Sequence, residues 1–169
     1  MLKQKIVAVK ANSSGKRIVY YDGRLVDFAT EILERGRGNG TVCRICTVAS
    51  EIVMDMRERG ETLESNDIIV TQKEVFKYRH HPKAKKGANL PIEDYVLIEK
   101  ALCSPIHIYE DKVQKRHVYV CTHPYQSNKL VKVVVEPNFK NHGKVVNIAK
   151  SWGIVESCKM KAPQFRVVK

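Results

Sequence analysis

Four strand signals in succession, at residues 106–109, 116–122, 130–136 and 144–151, constrain this chain more than any other feature. They are rich in β-branched and aromatic residues, and turn formers fill the separators 110–115, 123–129 and 137–143. Connections that short join antiparallel neighbours, because a parallel crossover needs about a dozen residues or more. Two helical patterns precede them. Thr71 and Glu74 form a T-x-x-E capping pattern that opens a helix running to about His81, where Pro82 stops it. Pro91 suits a first helical position, and Ile92, Tyr95, Val96, Ile98, Ala101 and Leu102 line one broad face up to Ser104-Pro105. The expected fold class is α+β: an N-terminal hairpin and helices, then two helices packed on a roughly four-stranded antiparallel sheet.

The earlier residues read as that hairpin and its helices. Apolar and polar residues alternate over 5–10, a turn covers 12–16, and strand character resumes over 17–21. Leu25, Phe28, Ala29, Ile32 and Leu33 recur at helical spacing, and Gly36, Gly38 and Gly40 end that helix. Over 42–59, Ile45, Val48, Ala49, Ile52, Val53 and Met56 fit a second helix ended by Gly60, although the first six residues are β-branched enough to leave a strand open. Residues 68–70 read as a short strand. The chain divides into an N-terminal region, 1–65, of unassigned role and a basic domain, 66–169.

Charge separates these halves. Residues 1–70 carry 11 Lys+Arg and 10 Asp+Glu, whereas 71–169 carry 19 and 8, so nearly all of the net +12 lies in the second half. Such a surface favours a polyanion, nucleic acid above all. Apolar runs shorter than ten residues predict no membrane helix, and MLKQKIVAVK has no signal-peptide pattern, so a cytoplasmic protein is expected. The five cysteines are loosely spaced. Cys43-x-x-Cys46 is the one close pair, by spacing half a zinc site or a redox pair; it lacks the second pair a zinc site needs, and small buried thiols are expected. His107, His117, His123 and His142 make no metal spacing, and no metal or cofactor is expected.

Candidate chemistry collects at two places. Tyr78-Arg79-His80-His81 closes the first helix of the basic half, with Lys83, Lys85 and Lys86 just beyond. Histidine exchanges protons near neutral pH, and arginine offers a fixed fork for phosphate. The alternative is a surface helix end whose histidine complements the helix dipole. The last strand signal carries Lys144, Lys150, Ser151 and Trp152, with a bulge or strand end expected near Lys150. Trp152 either stacks on a base or packs in the core.

In order along the chain, KEVFKYRHHP, LPIEDYVLIEKALCSPIHIYED, HVYVCTHP, KLVKVVVEPN and GKVVNIAKSWG resemble the phage-associated branch of the barnase–EndoU–colicin–RelE-like (BECR-fold) nucleases. The resemblance covers about residues 66–155 and rests on element order and a few residues. It implies endoribonuclease chemistry without metal or cofactor, in which the ribose 2′-hydroxyl attacks its own phosphate. Carried onto this chain, it implies His80 or His81 beside Arg79 as the proton-transfer group, with Ser151 and Lys150 at the strand end. Lys132 and Lys144 are implied as phosphate contacts. The family's Thr-then-aromatic ending is replaced here by Ala149-Lys150-Ser151-Trp152.

A toxin or phage effector acting on RNA in a bacterial host, held by an acidic inhibitor or antitoxin, follows from that resemblance. Two other readings stand beside it. One is a non-enzymatic nucleic-acid-binding module that uses a basic sheet face, with Tyr119, Tyr125 and Trp152 as stacking rings. The other is a module that pairs with an acidic protein.

Overall fold

A computed structural model of the protein describes residues 6–11, 17–21, 23–36, 41–80 and 89–169. The expected hairpin forms from β1 (Ile6–Ala11) and β2 (Arg17–Tyr21), paired antiparallel. Helix α1 (Leu25–Arg35) follows, with Leu25, Phe28, Ala29 and Ile32 buried along one stripe. Gly36 closes it at φ 66°, a left-handed conformation that costs glycine little, and its N–H donates to the Ile32 carbonyl. The start of α1 has no local side-chain cap. Instead Glu99, far along the chain, accepts the Leu25 N–H at 2.9 Å.

The helix expected over 42–59 is corrected. Its first part is strand β3 (Thr41–Thr47), and only Ser50–Glu58 is helical, as α2. The β-branched residues of β3 sit between two strand neighbours, parallel to β2 and antiparallel to β4 (Asp67–Thr71). Ladder pairing on both sides overrides the weak helical spacing. Then come α3 (Gln72–His80), a 3-10 turn at Ile92–Asp94 and α4 (Val96–Cys103).

Strands β5 (His107–Asp111), β6 (Arg116–Thr122), β7 (Lys129–Asn141) and β8 (Lys144–Glu156) pair in sequence, each antiparallel to the next. The expectation of a roughly four-stranded antiparallel sheet carrying two helices is nevertheless wrong. The described residues form a nine-stranded mixed sheet in the order β1-β2-β3-β4-β8-β7-β6-β5-β9, with four α-helices. Two features were not legible as strand partners. β4 joins β8 in parallel through Ile68↔Asn147 and Ile69↔Ile148, which splices the N-terminal strands onto the meander. At the far edge, a 3-10 helix at Ser157–Lys161 turns the chain back so that β9 (Phe165–Val167) pairs with β5. The line drawn between residues 65 and 66 falls just before β4.

All four α-helices contribute to the core on one face of the sheet. Phe28 of α1, Ile52 and Met56 of α2, Val75 of α3 and Ile98 of α4 share that core with Val131, Val133, Val135, Ala149 and Trp152. The opposite face carries two smaller clusters. Tyr20, Val42, Ile69, Val146 and Ile148 pack with Phe139; Val118, Val120, Leu130 and Val134 are covered by Met160 of the 3-10 helix.

Strand β7 runs through Pro137, which the sequence marks as a break. The register shifts between Glu136 and Phe139, and a bulge is where a strand tolerates a proline. There Asn138 sits at φ 52°, and its N–H donates to Asn147 Oδ1 at 3.1 Å. Asn138 Nδ2 donates to the Thr62 carbonyl, and the fully buried Asn147 donates to the Ser65 and Asp67 carbonyls. Two side-chain amides thus pin the loop that leads into β4.

Candidate functional site

Strand β8 carries one extra residue. Val134 lies opposite Ser151 and Val135 opposite Ala149, so Lys150 has no partner of its own across the ladder. A bulge reverses the side-to-side alternation beyond it. Unbroken alternation puts Trp152 on the side of Val146 and Ile148. Instead Trp152 joins Ala149 in the helix-side core, fully buried and edge-on to Tyr95 with ring centroids 5.5 Å apart.

The bulge also marks where β4 leaves β8. Their pairing ends at Ile69↔Ile148, and Gln72 begins α3 immediately after β4. The departing strands leave a groove of about 500 Å³ at the carboxyl end of β4. Ligands in open α/β sheets favour such a place, where a parallel pair ends and its connections diverge. The groove is walled by the first turn of α3, by the end of β7 and the His142 turn, and by Ile148 and Lys150 of β8; Thr41 and Val42 of β3 complete it.

Lys150 is held there from two sides. Its Nζ stands 3.8 Å from Glu74 Oε1, and the Glu74 side chain is only 5 % exposed. The same Nζ lies 3.7 Å from the centroid of the Phe139 ring. A buried carboxylate and an aromatic face therefore hold one ammonium group at the groove wall. Lys73, Lys140 and His142 also line the groove. Gln72 Nε2 donates to Thr41 Oγ1 at 3.1 Å, which ties the start of α3 to β3.

The other expected site residues distribute as follows. Arg79 and His80 occupy the last turn of α3, about 7.5 and 9 Å along the axis from Glu74 at about 1.5 Å per residue. His81, Lys83, Lys85 and Lys86 lie outside the described residues. Ser151 is half-buried and shares the helix-free face with its cross-strand partner Val134. Lys144 Nζ donates to the Tyr20 hydroxyl at 2.6 Å on that face. Lys132 lies opposite Gly153 and beside Val120, toward the cluster that Met160 covers. Burial depresses the Lys132 ammonium below the usual lysine value, with Asp111 opposing the shift.

Lys150, Lys144 and Ser151 therefore share a sheet face, while Trp152 does not. Of the other rings considered for stacking, Tyr119 is fully buried and Tyr125 is 85 % exposed at the turn before β7. Sequence reasoning missed Glu74 as more than a capping residue, and it missed Phe139, Lys140 and His142. One signal for the last two was the basic, glycine-containing turn Lys140-Asn-His-Gly-Lys144, which is a hairpin tip beside Lys150.

Among the described residues no helix is long and apolar enough to cross a membrane. Compared with known proteins, the chain matches no family model, no curated sequence and no solved structure.

Proposed function

We propose that the chain is a metal-independent endoribonuclease of the BECR kind that its second half resembles, with the groove at the end of β4 as its phosphate site. The observation that carries this reading is the bulged Lys150, set beside Ser151 and held by Glu74 at the wall of that groove. In this chemistry the 2′-hydroxyl loses its proton to a base and attacks the adjacent phosphorus. An acid protonates the departing 5′-oxygen, and cations stabilise the phosphorane between them. Lys150 serves as the fixed cation, with Lys140 and Lys144 along the approach. Arg79 and His80, in the last turn of the helix that carries Glu74, or His81 next in sequence, serve phosphate binding and proton transfer.

The basic balance of residues 71–169 supports an RNA substrate and an acidic inhibitor as partners. Incubation with mixed structured and unstructured RNA in EDTA tests the reading. Fragments ending in 2′,3′-cyclic phosphate are expected. Intact RNA, or ends bearing a 3′-hydroxyl, overturns it.

A second reading, nucleic-acid binding without cleavage, is favoured by one observation. Lys144 and Lys150 stand over the rings of Tyr20 and Phe139, at 5.2 and 3.7 Å from their centroids, and present cations along the helix-free face. Replacing His80 and His81 together by alanine separates the two readings. A nuclease loses turnover and keeps salt-sensitive binding.

A further inference from the structure

The tip of the β7–β8 hairpin carries an unusual residue for its conformation. Asn141 pairs with Lys144, so His142 and Gly143 alone make the turn. Both have positive φ, 48° and 81°, as a two-residue turn that follows the twist of its strands requires. Asparagine, aspartate or glycine is the usual first residue of such a turn. Two other described non-glycine residues have positive φ. Asn138 is of the favoured type, and its side-chain amide holds the loop before β4; Lys115 stands exposed in the β5–β6 turn. His142, by contrast, lines the groove at the carboxyl end of β4. A residue kept in a sparsely populated conformation at a cavity wall points to a use for its side chain.

The charged groups around that groove come from three elements. The first turn of α3 supplies Lys73 and Glu74, the end of β7 supplies Lys140, and the β8 bulge supplies Lys150; Thr41 and Val42 of β3 add no charge. Glu74 is already engaged with Lys150. Among these lining residues His142 is the one whose side chain both takes up and releases protons near neutral pH. Cleavage by a 2′-hydroxyl needs two proton transfers, one at each end of the reacting phosphate. The last turn of α3 is the negative end of a helix dipole, which favours a charged imidazole. A histidine there suits the part of proton donor and leaves the part of acceptor to be filled.

We propose, on the reading of this groove as a ribonuclease site, that His142 is the general base that activates the 2′-hydroxyl. Its neutral imidazole takes the 2′ proton as the 2′-oxygen bonds to phosphorus. The bond from phosphorus to the 5′-oxygen breaks, and that oxygen takes its proton from the histidine at the end of α3. The products are a 2′,3′-cyclic phosphate and a 5′-hydroxyl. One imidazole has gained a proton and the other has lost one, so no further reactant is consumed. Lys150 stays charged throughout and faces the phosphorane.

Full-length wild type, His142→Asn and His142→Gly, compared on mixed RNA in EDTA, test this. Asparagine and glycine both suit positive φ, so the turn is kept and Tm is expected to hold or rise. Each variant is expected to form 2′,3′-cyclic phosphate about 10²–10⁴-fold more slowly while keeping its salt-sensitive RNA binding. Added imidazole is expected to restore part of the lost turnover in His142→Gly, where the ring has left room, and to leave wild type unchanged. The acidic limb of the wild-type rate–pH profile is expected to flatten in His142→Asn. Wild-type turnover in either variant overturns the role of His142 and leaves the nuclease reading standing. So does a loss of binding that matches the loss of turnover, or a slow variant with the wild-type pH profile and no rescue. Wild-type protein that forms no cyclic phosphate overturns the nuclease reading and this inference with it.

Discussion

Arg166 grips Asp55 through two parallel hydrogen bonds of 2.7 Å each, and so fastens the last strand to α2. The same guanidinium meets Glu110 at 2.7 Å, and Arg59 reaches Asp55, Glu61 and Glu110. Strand β9 has three residues and pairs only with β5, too short a ladder to hold a chain end alone. Bidentate arginine–carboxylate contacts are among the stronger polar interactions. Arg166→Ala is expected to lower stability by about 2 kcal/mol, read by urea unfolding, with faster amide exchange across β9. The hydrogen bond from Arg166, more than any other influence, holds the Asp55 carboxyl below its usual value. That stabilisation is complete above the unfolded value of about 3.9 and is lost as pH falls through the lower folded value.

His117 gives a separate pH dependence at higher pH. It is buried in β6 near Glu110 and Arg59, and burial pushes its imidazole down to about 4. The unfolded chain binds this proton near pH 6.5, whereas the folded chain does not, so stability falls as pH drops between those two values. The loss by pH 4 is up to about 3 kcal/mol. His117→Gln is expected to flatten the unfolding free energy between about pH 6.5 and 4 while leaving the lower Asp55 limb. An unchanged slope in that window sinks this assignment.

Trp152 is the sole tryptophan, and no part of it reaches solvent. Trp152→Ala opens a cavity against Tyr95 and is expected to cost about 3–5 kcal/mol, seen as a large fall in Tm. In the wild-type protein its fluorescence is expected to resist acrylamide quenching and to stay constant when RNA is added. A shift on adding RNA places Trp152 in the binding surface after all.

Lys150 and Glu74 act as a pair under the proposed function. Lys150→Ala is expected to lower RNA cleavage about 10²-fold, as loss of one fixed group stabilising transition-state charge does. Glu74→Gln leaves the cation in place without its anchor and is expected to cost about tenfold. The double variant is expected to match Lys150→Ala alone in a double-mutant cycle, because Glu74 acts through Lys150. Lys144→Ala is expected to change binding rather than turnover and to reduce the salt slope by about one.

The local elements were more legible than their assembly. Leu25–Arg35 announces itself through an apolar stripe at helical spacing and a closing glycine, and the meander announces itself through short turn-rich separators. The parallel join of β4 to β8 is invisible locally, because Ile68-Ile69-Val70 carries no mark of its partner eighty residues on. Strand β3 was misread for a related reason. Its register shift beside Ile45 breaks the two-residue period and imitates helical spacing. For the candidate site, Lys150 and Ser151 were found from the strand end, but Glu74 lies far off in the chain and becomes its neighbour only through the β4–β8 pairing.

Inserting one residue into a strand is a phase shift, and in β8 it has a use. Residues 144–149 and 151–156 obey opposite parity, so a single ribbon turns a tryptophan inward and offers an ammonium group outward within three positions. Deleting Lys150 would remove the charge and the extra residue together: Ala149, Ser151 and Trp152 would then alternate in, out and in along a regular ladder, so the indole would stay beneath the helices while the groove lost its cation.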